Sequence, residues 1–151
     1  MTTRSRGIRL PEKLDSELES ERRFRGGTSF SQLATSLLTE AIRMRRVPGV
    51  IFVDGLDSRR AAVAGTGLEV WELIATYRAV GGDAEKLGRS YPRLSESQLR
   101  SALAYYELYP DEIEARLERE ESWTPEEVWN RYPFTRPGAV DGRGPGPDGS
   151  V

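Results

Sequence analysis

A helix whose apolar stripe has nothing nearby to cover it constrains this chain more than any other feature. Phe30, Leu33, Ala34, Leu37, Leu38, Ala41 and Ile42 recur at intervals of three and four, the spacing of one face of an amphipathic helix. Ser29 and Gln32 before the stripe form the pair of a capping box. Upstream, Arg25-Gly26-Gly27 ends an earlier helix on which Leu14 and Leu18 share a face. Pro11 suits the first position of that helix, where its missing N–H would be unpaired anyway. Ahead of it, Ile8 and Leu10 alternate with Gly7 and Arg9, the period of a half-buried strand. Residues 1–46 therefore predict a short strand, a helix, a glycine turn and a longer helix. A segment of about 45 residues with so few apolar side chains buries too little surface alone, and the chain has no cysteine to staple it. The expected solution is a dimer in which two strands pair antiparallel and the helices interlock beneath them.

Charge divides the same way. The formal net charge of −2 argues against a nucleic-acid partner, but its distribution argues for one. Residues 1–46 carry ten Lys/Arg against six Asp/Glu, a balance of +4. Residues 47–121 carry nine against fourteen, a balance of −5, and residues 122–151 carry three against four. A basic module joined to an acidic one suits a protein with two different partners, although ordinary surface variation can produce the same asymmetry. The absence of histidine and cysteine removes disulfides, thiolate chemistry, the commonest metal ligand and the commonest general acid–base group. Carboxylate pairs such as Asp54 with Asp57, or Asp111 with Glu114, read as turn and surface residues. An enzyme, a cofactor and a bound metal are not expected. No apolar run approaches the length of a membrane span, and no apolar stretch follows the basic N-terminal residues as in a secretory signal. A cytoplasmic location is expected.

The ordered set Ile8-Arg9-Leu10-Pro11-Glu12, the leucines of the first helix and the Gly-Thr-Ser turn into a long second helix resembles the ribbon-helix-helix family of DNA-binding proteins. That resemblance implies that the outward residues of the paired strands enter the major groove and read base edges. With Ile8 and Leu10 inward, Ser5, Gly7 and Arg9 face outward. Arg9 is the best base-reading candidate, because arginine bonds guanine in a bidentate way. Gly7 departs from the family, which places a hydrogen-bonding side chain there. Arg4 belongs to an N-terminal arm, and Arg6, on the inward side, is expected to splay towards solvent or phosphate. Thr28 and Ser29 sit where free N–H groups suit a DNA phosphate; simple capping would explain them equally. Arg43, Arg45 and Arg46 end the second helix, where cations complement its dipole. Loss of Arg43 is expected to have a small effect on operator binding, visible mostly as salt dependence.

Val47-Pro48-Gly49 marks a boundary, and the pattern then turns to β. Val50-Ile51-Phe52-Val53 reads as a strand, Asp54-Gly55 as a turn, and Arg60-Ala61-Ala62-Val63-Ala64 as a second strand. Gly65-Thr66-Gly67 lacks the further glycine and lysine of phosphate-binding loops. Helices follow: one striped by Val70, Trp71, Ile74 and Tyr77 and stopped at Gly81-Gly82, then a short one capped by Asp83 with Ala84, Leu87 and Tyr91 inward. Ser95 and Gln98 box the next, lined by Leu99, Ala102, Leu103 and Tyr106. After Pro110 a charged helix turns Ile113 and Leu117 inward. The expected fold class is mainly α with short β: a dimeric ribbon-helix-helix module followed by a β-hairpin and a helical domain in helix-turn-helix order.

The run from Tyr91-Pro92-Arg93-Leu94-Ser95 to Tyr106, with Asp111-Glu112-Ile113-Glu114 after it, is similar to a small-domain family of VapB-type antitoxins, domain of unknown function four-three-three. The resemblance spans residues 48–121 and implies a toxin with a PIN-like nuclease fold as partner. It departs from the family around residues 59–67, where only Ala64-Gly65-Thr66-Gly67 matches an Arg-Gly-Thr-Arg element. Gln98, Arg100 and Ser101 occupy the position of a recognition helix, but a module charged −5 attracts phosphate poorly. Tyr105, Tyr106 and Tyr109 read as core and dimer-contact residues.

Residues 122–151 form a tail. Thr124 and Pro125 start a short helix; Trp123, Val128, Trp129, Tyr132 and Phe134 make an apolar cluster; Gly, Pro and Asp dominate after Pro137, so disorder is expected there. Aromatics in such a place either dock back or anchor a partner. The toxin-binding candidates are Trp123, Trp129, Arg131, Tyr132, Phe134 and Arg136, with Arg131 and Arg136 placed to enter a nuclease's acidic metal site. The expected function is a type II antitoxin: a homodimer, or a higher homo-oligomer, that binds double-stranded operator DNA and a PIN-like ribonuclease, with no membrane partner. The alternative is a stand-alone ribbon-helix-helix regulator. Whether the adjacent reading frame encodes a small nuclease-like protein separates the two.

Overall fold

The computed structural model describes residues 2–131. The fold is mainly helical with one small antiparallel sheet, as the periodicities predict. Helices α1 (Glu12–Phe24) and α2 (Phe30–Arg46) come first. Pro11 stands one position before α1, as its N-cap. Gly26 and Gly27, both at positive φ, reverse the chain after it. The predicted capping box opens α2: Ser29 Oγ accepts from the Gln32 N–H at 3.1 Å, and Gln32 Oε1 accepts from the Ser29 N–H at 3.3 Å.

The predicted strand ahead of α1 is not formed: residues 2–11 have no regular secondary structure. The physical reason is a missing neighbour. A strand takes its hydrogen bonds from another strand, and among the described residues no strand lies alongside this segment. Much of the α2 stripe is exposed as well. Leu33 alone of its large apolar residues is buried, while Leu37, Leu38 and Ile42 are 38, 57 and 51 % exposed. On α1, Leu14 is exposed and Leu18 only half-buried.

Strands β1 (Val50–Asp54) and β2 (Arg59–Val63) pair antiparallel, from Val50↔Val63 to Asp54↔Arg59. Helices α3 (Val70–Ala79), α4 (Ala84–Ser90), α5 (Glu96–Leu108) and α6 (Pro110–Glu121) wrap this hairpin, and α7 (Pro125–Arg131) follows. Asp83 and Ser95 cap α4 and α5 as predicted. Pro110 begins α6 rather than merely interrupting the chain, and Ala84, expected inward, is exposed. A first-turn position on a seven-residue helix is open to solvent even when Leu87, one turn on, is completely buried. The core lies between hairpin and helices: Val50, Val63, Val70, Leu73, Ile74 and Tyr105 are almost fully enclosed, with Ile113 and Leu117 closing it from α6.

The junction at Pro48-Gly49 is packed, not free. Ser101 Oγ donates to the Pro48 carbonyl at 3.0 Å. Gly49 is at φ 97°, and a Cβ there would lie 2.7 Å from Ser101 Oγ. Glycine therefore suits this position both for its backbone conformation and for the close approach of α5.

Candidate nucleic-acid and partner interfaces

Arg4, Ser5, Arg6, Gly7 and Arg9 are all exposed on the segment leading into α1. Nothing lies within 4 Å of where a Gly7 Cβ would stand, so no crowding in the single chain calls for glycine there. Thr28 and Ser29 are engaged locally: Thr28 Oγ1 donates to Gln32 Oε1 at 3.0 Å, and Ser29 works in its capping box. A phosphate at this end of α2 would meet the other first-turn N–H groups.

The C-terminal half of α2 does more than end a helix, because Arg43 also reaches the second module. Its guanidinium reaches across 62 residues of sequence to donate to the Tyr105 hydroxyl at 2.9 Å, pairs with Glu112, and lies 4.4 Å from the Tyr109 ring centroid. Tyr105 in turn donates to Glu112 at 2.7 Å. Burial, together with that carboxylate, pushes the Tyr105 phenol well above its ordinary value, so it stays a neutral donor. Two further ion pairs tie the helical pair to the hairpin. Arg59 meets Glu40 at 2.8 Å, and Arg25 meets Asp54 at 2.7 Å. Arg25 and then Arg59 hold the Asp54 carboxyl below the usual carboxylate range. Glu40 is 8 % exposed, covered by the Arg59 guanidinium. Glu40 stands two turns after Leu33, at the edge of the apolar stripe, and a glutamate there looks solvated until a distant arginine is folded onto it. Replacing Arg43 with alanine strips Glu112 and Tyr105 of a charged donor. The expected cost is about 2 kcal/mol, the scale of hydrogen bonds to charged groups, read as a lower urea midpoint for the whole chain.

The helix-turn-helix order is present as α3, α4 and α5, but two of its recognition-position residues, Gln98 and Ser101, are held within the fold, while Arg100 stays exposed. Gln98 Nε2 donates to the Ala64 carbonyl at 3.3 Å, Ser101 holds the Pro48 carbonyl, and Arg100 pairs with Glu96 at 2.6 Å. Tyr105 is core, and Tyr106 and Tyr109 are half-buried against it. Of the four carboxylates Asp54, Asp57, Asp111 and Glu114, three face arginines. Asp54 meets Arg25 and Arg59, Asp57 meets Arg60 and Arg119, and Glu114 meets Arg78.

At the far end, Thr124 caps α7, accepting from the Glu127 N–H at 3.3 Å. The Arg131 guanidinium lies 5.2 Å from a Trp123 ring centroid. Trp123, Val128 and Trp129 are half-buried and Arg131 is exposed. Tyr132, Phe134 and Arg136 lie outside the described residues, so the six tail candidates are brought together only in part. Among the described residues no helix is long and apolar enough to cross a membrane.

Residues 56–106 match a family described as Protein of unknown function (DUF433). The DUF433 match begins in the β1–β2 turn and ends within α5. It is narrower than the span over which the sequence resembles that family, leaving α6, α7 and the whole of α1–α2 outside. No curated protein and no solved structure matches the chain.

Proposed function

We propose that the chain is a non-enzymatic, cytoplasmic antitoxin and autoregulator: a homodimer that binds operator DNA through residues 1–46 and holds a PIN-like ribonuclease with its C-terminal region. The observation that carries this reading is the uncovered face of α2, with Ile8 on the preceding segment 73 % exposed. A second copy covers that face and supplies the missing strand partner for residues 6–10 in one step. The paired segments then present Ser5, Gly7 and Arg9 of both copies on one basic surface, with Arg4 and Arg6 against phosphates and the α2 N-termini beside them. The partner half of the reading rests on the resemblance to VapB-type antitoxins and on the Trp123–Arg131 pair at the start of the tail.

The test is a gel-shift titration of the full chain on the DNA upstream of its own reading frame. Arg9→Ala is expected to cost about 1–3 kcal/mol and to relax preference at one operator position, as loss of a bidentate base contact does. Wild-type affinity in that variant would remove the strand as the reading element.

A further inference from the structure

A groove of about 340 Å³ runs between the β1–β2 turn, α6 and α7. Four arginines line it, Arg60, Arg116, Arg119 and Arg131, against two carboxylates, Asp57 and Glu120. That is a local positive surplus on a module whose own balance is −5. Trp123, Val128 and Leu56 supply its apolar wall, and Leu56 is 77 % exposed.

The arginines hold donors that the fold does not use. Arg60 is 91 % buried, its exposure being 9 %. Its Nη2 donates to Asp57 at 2.5 Å and its Nη1 lies 3.7 Å from Glu69, beyond hydrogen-bond reach. Among the described residues Arg60 Nε and Nη1, and Arg116 Nε, have no hydrogen-bond acceptor. Arg116 pairs with Glu120 through Nη2 and lies 5.3 Å from a Trp71 ring centroid. Arg119 is 3.3 Å from Asp57, sharing that carboxylate with Arg60. Gly55 makes room for this arrangement, since a Cβ there would fall 2.5 Å from Arg60 Nε. A buried guanidinium left partly unsatisfied costs free energy in the isolated chain. The donors open to the groove are those of Arg119, whose side chain is 55 % exposed, and of the exposed Arg131.

The geometry points to this groove as a receptor for an acidic side chain of a protein partner, an aspartate or glutamate flanked by an aliphatic or aromatic residue. The carboxylate would lie among Arg119, Arg116 and Arg131 with Arg60 at its base, where planar guanidinium forks suit it; the neighbouring apolar residue would lie on Trp123 and Leu56. A nucleic-acid backbone is disfavoured, because residues 47–121, which carry most of the groove, have a net balance of −5 and attract a long polyanion poorly. The inference holds for a protein partner of any family, so failure of the nuclease reading leaves it standing.

The experiment observes arginine Nε–Hε signals of the full-length protein by NMR during titration with a blocked hexaglutamate peptide. Hexaglutamine, inorganic phosphate and a short DNA duplex serve as comparisons. Hexaglutamate should shift the Arg60, Arg116 and Arg119 signals saturably, and hexaglutamine should leave them in place. The double variant Arg119→Gln, Arg131→Gln, whose sites are at the rim and outside the core, should bind at least tenfold more weakly. Arg100→Gln, on α5, should bind as the parent does. Equal binding by the double variant, equal shifts with hexaglutamine, or tighter shifts of the same signals by phosphate or DNA would each overturn the assignment.

Discussion

Leu37→Glu is expected to abolish dimer formation and operator binding together. Leu37 lies mid-stripe on α2, 38 % exposed in the single chain, between Leu33, which is buried, and the open Leu38 and Ile42. In a dimer each copy would bury the 38 % of Leu37 still exposed, a part of the about 1.5–3 kcal/mol that full burial of a leucine contributes. The variant loses that contribution twice, once per copy, and sets two carboxylates into the same apolar seam, where burying an unpaired charge costs more still. Sedimentation at micromolar concentration should find a monomer, and a gel shift should find no complex. The α3–α6 core does not use Leu37, so the hairpin and its helices should keep their thermal transition. If the parent chain itself sediments as a folded monomer with ordered residues 1–46, the dimer is wrong, and the ribbon with it.

Deleting residues 122–151 is expected to leave operator binding intact and to release nuclease activity completely when a toxin is co-expressed. The deletion removes Trp123, Trp129 and Arg131, the described part of the proposed partner surface, along with Tyr132, Phe134 and Arg136. Buried aromatic and arginine anchors of this kind contribute about 2 kcal/mol or more each to an interface, so losing several shifts binding by orders of magnitude. An arginine directed into an acidic metal site would take the place of the metal's charge, and that block disappears with the tail. The readout is growth arrest or RNA cleavage beside an unchanged gel shift. Continued neutralisation by the truncated chain would assign inhibition to residues 48–121 and leave the tail aromatics a packing role.

Most local structure was legible because its causes are local. Ser29 with Gln32, Ser95 with Gln98, and Asp83 are caps whose partners lie within three residues. The glycine pairs at 26–27 and 81–82 end helices through their own positive φ. The β-hairpin followed from a short apolar run, a turn and a second run. The strand at residues 6–10 was equally legible as a pattern and yet is not formed in one chain, because alternation specifies a face and cannot supply the neighbour that pairs with it.

The arginines were the opposite case. As sequence, Arg43 is one of three cations closing a helix, Arg59 and Arg60 follow a turn, and Arg116 and Arg119 belong to a charged helix. Folding gives each a particular partner: Arg43 meets Glu112 across 69 residues, Arg59 meets Glu40 across 19, and Arg119 meets Asp57 across 62. Periodicity and capping are set by interactions within about one helical turn, so the sequence by itself determined the helices, the hairpin and the stripe of α2. Which charges are buried together, which donors stay unpaired and where a groove opens depend on contacts between segments far apart in the chain. Only the tertiary structure decided those, because a guanidinium reads as solvated until the fold brings a carboxylate, or none, against it.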